Sequence, residues 1–242
     1  MKNPTRVIAL FVGLVLTGTS VARAQTPSPD SKMFASISLG AQVQSHTFSD
    51  STNFTLFNEP ASVSANQTIG RGGLIDLGVG RRLGDHWAVG VGLWGTRAKG
   101  TASALADLPD PIVFGHPVTF AATIPDLKQT AIGVNLQLIW TTAINDKIDL
   151  SVFVGPTLLH VNQEIGTVTA VANTQNAVAT TTSESKTGMK GGNAGIDVSY
   201  KLNDRYGAGV FARWAGGEVD LPSAPHVKAG GAQIGIGLRV RY

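Results

Sequence analysis

The chain has 242 residues, 43% of them apolar and only 14% charged, with 29 glycines and no cysteine. Soluble globular domains carry about 25% charged residues, so this composition argues against a well-solvated cytosolic surface and against a long disordered chain. The lack of cysteine excludes disulfide scaffolds, zinc–thiolate sites and thiol nucleophiles. The formal net charge is +3, yet Lys2, Arg6 and Arg23 supply all of it, and the remainder balances 16 basic against 16 acidic residues. A neutral body lacks the electrostatic footprint of a nucleic-acid binder, and no such partner is expected.

The first 24 residues have the three parts of a secretory signal: the basic head Lys2 and Arg6, the apolar stretch Val7 to Leu16, and a small-x-small site at Ala22-Arg23-Ala24. Cleavage is expected before Gln25. This divides the chain into a signal peptide (1–24), a short N-terminal periplasmic segment (25–32) and one domain (33–242). The apolar stretch is shorter than the ~20 residues of a spanning helix. No cysteine follows it, so a lipid anchor at that site is not expected.

From Met33 onward the dominant signal is period two, the pleat of a strand. It opens with Met33, Ala35, Ile37, Leu39, Ala41 and Val43 facing one way and Phe34, Ser36, Ser38, Gly40, Gln42 and Gln44 the other. Seven further runs follow at 75–80, 87–93, 132–140, 148–155, 193–200, 206–214 and 233–242. Gly84-Asp85-His86, 143–147 and Asn203-Asp204-Arg205 form tight turns between some of them. Roughly 46–70, 96–127, 165–190 and 216–228 form long connections, of which the Thr-, Ala- and Ser-rich 167–188 is β-prone enough to prolong its strands. Tight turns at one end and long loops at the other describe an up-and-down meander. Closing eight such strands removes both unpaired edges.

Period two does not itself say which face is outside. A soluble lipocalin-like barrel would put the apolar face inward and needs Lys and Glu on the other. Here the other face is Gly, Ser, Asn and Gln with isolated charges, including Gly40, Gly78, Gly90, Gly133, Gly195 and Gly235. Such residues suit the crowded lumen of an eight-stranded barrel. The expected fold is therefore an all-β, eight-stranded antiparallel transmembrane barrel, apolar face to lipid. Trp87, Trp140, Tyr200, Tyr206 and Tyr242 share outward parity beside the short turns, as one interfacial belt. Trp214 has outward parity at the opposite rim, and Trp94 points inward as a plug. Asp76, Arg82, Asp149, Asp197, Lys201, Arg213, Arg239 and Arg241 have lumen parity and are expected to form a paired charge network.

The chain ends Gly237-Leu238-Arg239-Val240-Arg241-Tyr242, of the form Gly-x-x-apolar-x-aromatic. This resembles the assembly signal of bacterial outer-membrane barrels, carried here by Gly237, Val240 and Tyr242. With the signal peptide and eight strands, the mature chain resembles the OmpA/OmpX-like outer-membrane beta-barrel domain family. Leu108-Pro109-Asp110-Pro111-Ile112-Val113-Phe114 and Gly155-Pro156-Thr157-Leu158-Leu159-His160-Val161 look closer to a largely uncharacterised subgroup of exported barrels. The resemblance implies a cell outer membrane location, contact with lipid and lipopolysaccharide, recognition by the barrel assembly machinery, and a monomer. The peptidoglycan-binding domain of full OmpA proteins is absent from the pattern, so tethering to the cell wall is not expected.

Some small outer-membrane barrels are enzymes. The lipid A deacylase type resembles a serine hydrolase with His-x-Ser on one strand, but His46-Thr47-Phe48 and His160-Val161-Asn162 lack the serine. Asp30-Ser31 and Asp50-Ser51 lie off the strands expected for the palmitoyltransferase type. His46, His116, His160 and His226 map to the loop end without ligand spacing, and no metal or cofactor is expected. The expected role is structural or surface interaction through the extracellular loops, without enzymatic activity. A narrow passive channel for small solutes or hydrophobic compounds is the alternative, and a lipid-modifying enzyme a third. In the second loop, Ile112, Val113, Phe114 and Phe120 form an apolar cluster that could cap the mouth or touch a partner.

Overall fold

The computed structural model describes residues 32–110, 112–170, 177–219 and 227–242. The expected signal peptide, with Ala22, Ala24 and Gln25, lies outside the described residues. Nine strands follow in order: β1 (Met33–Gln42), β2 (His46–Leu56), β3 (Glu59–Arg82), β4 (Trp87–Pro109), β5 (Pro117–Asn145), β6 (Ile148–Ala170), β7 (Ala177–Lys201), β8 (Tyr206–Val219) and β9 (Val227–Arg241). All pairings are antiparallel, in the order β1-β9-β8-β7-β6-β5-β4-β3-β2, and β1 also pairs with β3 to close the ring. The ring has eight positions, as the alternation requires.

The ninth strand is a break in the first. The lower part of β3 pairs with β1, from Arg81↔Met33 to Gly72↔Gln42, and its upper part pairs with β2, from Ile69↔His46 to Glu59↔Leu56. β1 and β2 are thus two pieces of one edge, interrupted at 43–45. There Val43 N–H donates to Ala232 O (2.9 Å), and the Gln44 side chain accepts from Ala232 N–H (3.1 Å).

The expected loop 46–70 is therefore mostly strand, and this is a correction. The same holds for 96–127, where β4 and β5 leave only 110–116 as loop. The physical reason is solvent. Outside a bilayer a strand needs no strongly apolar face, so Thr, Ser and Asn opposite Ala and Val suffice. Pro125 is accommodated because Pro125 and Asp126 (φ 60°) fall within the register shift opposite Thr101, where a missing N–H costs no ladder bond. The β-prone segment after 165 does prolong β6 and β7, as expected.

Through the ring the protein is inside-out. On β1 and β9, Leu39 and Ile236 are 62% and 66% exposed, while Ser38 and Gln233 are 2% and 1%. Large lumen side chains sit opposite glycines on the neighbouring strand. Phe34 faces Gly80, Trp94 faces Gly133, Arg213 faces Gly195 and Phe211 faces Gly235. At each of these glycines a Cβ would stand under 3 Å from the opposing side chain, so the lumen fills by large-against-small pairing.

Candidate functional site

Three levels stack along the barrel axis. At the turn end, the lumen holds the charged residues singled out in sequence. Arg213 pairs with Asp76 (2.6 Å) and lies over the Phe211 ring, 5.0 Å from its centroid. Arg239 pairs with Asp197 and donates to Ser38 Oγ (2.9 Å). Asp149 takes two cations, Lys201 on one oxygen (2.9 Å) and Arg241 on the other (3.2 Å). Seven of the eight residues thus meet as partners, while Arg82 has no ion pair among the described residues. All of the eight except Lys201 line a cavity of about 130 Å³. The alternation places Phe34 inward but does not bring it together with Ala88, Ile139 and Phe153 into the apolar floor of the cavity, since parity does not say which inward residues meet.

Above this cavity the lumen is filled. Trp94 is 1% exposed, and its Nε1–H donates to Asn135 Oδ1 (3.1 Å), which also accepts from the Thr157 hydroxyl (2.7 Å). Asn193 donates to Gly155 O (3.0 Å) and to Thr157 Oγ1 (3.2 Å). Around Trp94, Leu74, Ala131, Leu159, Val161 and Phe211 form a dry cluster. Higher still, Gln129 donates to Gln163 Oε1 (2.7 Å), and Gln67 reaches across to Glu164 O (2.7 Å). Buried amides donating in sequence across strands fix such a layer more firmly than apolar packing alone.

The third level is a four-stranded sheet that continues past the ring, built by β2, the upper parts of β3 and β4, and the start of β5. Its exposed face carries hydroxyls and amides in register: Ser49↔Asn66↔Ser103↔Thr123 is one row. Ser49 donates to Asn66 Oδ1, Thr47 and Thr68 share a hydroxyl–hydroxyl bond (3.1 Å), and Thr119 donates to Asp107 (2.6 Å). The other face buries Ala61, Ala106 and Leu108 against Leu56, Val63 and Phe120. Phe120 is thus used within the sheet, whereas Ile112 and Phe114 stand 82% and 74% exposed at its far tip. That tip is held: Asp110 Oδ1 accepts from the N–H groups of Ile112 and Val113 (2.8 and 3.2 Å), and Glu59 accepts from Gly115 N–H (3.0 Å).

The outer surface carries the five aromatic residues of the expected belt. Trp87 and Trp140 are cross-strand partners, and Tyr200, Tyr206 and Tyr242 are exposed at the same end. Trp214 is exposed toward the opposite rim. Tyr242 closes the seam: its N–H donates to Met33 O (2.9 Å) and its carbonyl accepts from Met33 N–H (3.2 Å). Gly237 lies against β1, where a Cβ would meet Ile37 O at 2.0 Å, and Val240 pairs with Ala35. Above the apolar belt, Arg71, Arg97, Lys99 and Lys128 face outward. Lys99, hydrogen-bonded to Asp126 (2.8 Å), holds that exposed carboxyl below the usual carboxylate range.

The histidines do not converge on a metal. His46 Nε2 bonds to Gly230 O (2.8 Å) and His86 Nδ1 to Thr141 O (3.0 Å), while His226 lies outside the described residues. Among the described residues no three His, Asp or Glu side chains gather where an ion could sit.

A closed ring of eight antiparallel strands, apolar outside, polar and charged inside, and girdled by aromatics, is a transmembrane β-barrel of the outer-membrane type. In barrels of this type the short turns face the periplasm and the longer connections the cell exterior. Among solved structures the chain is similar to Neisserial surface protein A, with 14% identity, a TM-score of 0.41, and 90% of this chain and 100% of that chain covered. The outer membrane protease OmpT from Escherichia coli gives 12% identity, a TM-score of 0.38 and coverage of 91% and 100%. Ail, the attachment invasion locus protein of Yersinia pestis, gives 12%, 0.37, and 86% and 99%. Similarity of this order reflects at most a shared barrel architecture. No family model matches the chain, and no curated protein matches it.

Proposed function

We propose that this protein is a non-conducting, non-enzymatic outer-membrane barrel that presents an ordered extracellular sheet for surface interaction. The carrying observation is the tip, where Ile112 and Phe114 are exposed although hydrogen bonds from Asp110 and Glu59 hold their backbone in place. With Val113 they make three adjacent exposed apolar side chains, the contiguous kind of patch that marks a contact site. The layer around Trp94, whose side chains are nearly inaccessible, supports this reading over the passive route.

Several further parts belong to the same proposal. Residues 1–24 act as a cleaved signal, 25–32 remain periplasmic, and Gly237, Val240 and Tyr242 serve the assembly machinery. Arg71, Arg97, Lys99 and Lys128 meet anionic lipopolysaccharide headgroups above the lipid-facing belt. The barrel acts as a monomer.

The test compares wild type with the Ile112→Ser/Phe114→Ser double variant on the surface of expressing cells, probed for attachment to apolar-coated and polar-coated surfaces. Loss of attachment with unchanged surface abundance is expected. Equal attachment removes the tip from the contact. Steady conductance of the purified barrel in planar bilayers would establish the passive route instead.

A further inference from the structure

We propose that the periplasmic half of the lumen is a binding site for a small phosphate-type oxyanion. The charges there do not balance. Four cations of the lining, Arg82, Arg213, Arg239 and Arg241, together with Lys201 beside it, face three carboxylates, Asp76, Asp149 and Asp197. Each carboxylate already has a partner and Asp149 has two, so among the described residues two positive charges remain uncompensated. They are localised. Arg82 makes no ion pair among the described residues, and Arg241 Nη1 is buried without a hydrogen-bond partner.

Both guanidinium groups line the same cavity. Its volume of about 130 Å³ is roughly ten times the ~10–15 Å³ that a single water needs, so a polyatomic ion fits. Surplus positive charge partly withdrawn from bulk water favours the entry of a counter-charge. Guanidinium forks match a tetrahedral oxyanion in shape and in number of donors, and a divalent ion cancels the surplus. Ser36, Thr141 and Ser151 supply hydroxyls on the same wall. The Trp94 layer closes the cavity above, so the ion enters from the periplasmic rim and does not pass through. This site is independent of the extracellular tip.

The experiment titrates the mature protein in detergent micelles with inorganic phosphate, at ionic strength held constant with sodium chloride, by calorimetry and by the urea unfolding midpoint. Saturable binding with a raised midpoint is expected. Arg82→Gln should weaken it at least tenfold, with heat-modifiable gel mobility reporting that the barrel is folded. Arg81→Gln, the same charge change one residue away on the exposed face, should bind as wild type. Displacement of phosphate by glycerol phosphate assigns the site to phosphate esters, and lack of displacement to the free ion. Absence of saturable binding overturns the proposal. So does equal loss in Arg81→Gln and Arg82→Gln, or an identical response to chloride alone, because each marks nonspecific screening.

Discussion

The Trp94 indole lies against its cross-strand partner Gly133 so closely that a methyl group on Gly133 would stand 2.3 Å from the ring. The glycine is the space that the plug occupies. Gly133→Ala forces the indole off its position and its bond to Asn135, at a cost of about 1–3 kcal/mol from overpacking. Trp94→Phe/Gly133→Ala should recover part of that loss by shrinking the opposing ring. Urea unfolding midpoints of Gly133→Ala, Trp94→Phe and the double variant in micelles check this. Additive losses in the double variant would mean that the two residues do not share a space.

The Asp76–Arg213 pair offers a second check. Both side chains are nearly inaccessible, and each compensates the other's charge. Arg213→Met leaves Asp76 buried and unpaired, an expected cost of about 3–5 kcal/mol. Asp76→Leu/Arg213→Met removes both charges and should fall well short of the summed single losses. A double-mutant cycle on unfolding free energy reads the coupling.

At the β2–β3 tip, Phe57 and Asn58 both have positive φ, 50° and 66°. Two such residues form the turn that matches strand twist, but phenylalanine is a poor occupant of the left-handed region. Phe57→Asn should stabilise this hairpin by about 1 kcal/mol. Slower amide hydrogen exchange in β2 and the upper part of β3, with the ring unchanged, is the expected readout.

Tyr242 combines an exposed interfacial ring with the last position of the expected assembly signal. Its anchoring contribution is on the order of 1–3 kcal/mol of apolar burial. Tyr242→Ala should sharply lower outer-membrane insertion in cells while the purified protein still refolds in detergent. Trp87→Ala removes a belt residue outside the signal and should leave insertion largely intact. Equal loss in both variants would reduce Tyr242 to an anchor.

The Lys99–Asp126 contact sets a pH expectation outside the membrane. The carboxyl is depressed first by its hydrogen bond from Lys99 and then by that residue's charge. A carboxyl lowered in the folded state supports folding above its unfolded pKa and loses that support as pH falls through the folded value. Full exposure keeps the effect small. In an NMR titration Asp126 should protonate below the ordinary carboxylate range in wild type and return to it in Lys99→Ala.

What could be read in the chain followed from two simple physical facts. Successive strand side chains point to opposite faces, and those faces meet different solvents. Leu39 beside Ser38, or Ile236 beside Gly235, therefore reveals both a strand and its orientation without any partner. The outward parity of Trp87, Trp140, Tyr200, Tyr206 and Tyr242 was legible for the same reason, and all five rings are exposed. Beyond the bilayer that contrast disappears. Ser49, Asn66, Ser103 and Thr123 alternate with residues only slightly more apolar, so the sheet of β2 to β5 looked like loop.

The period, the inward and outward sets, and the closure into eight positions follow from the chain alone, because each depends on local alternation and on the cost of open edges. Who meets whom is settled in the folded ring. Asp149 takes both Lys201 and Arg241, Gly133 receives Trp94, and β3 exchanges β1 for β2 midway along its length. These pairings depend on the register of each strand against its neighbours. Register is a property of the closed ring, since every strand's height must agree with all the others when the last strand meets the first.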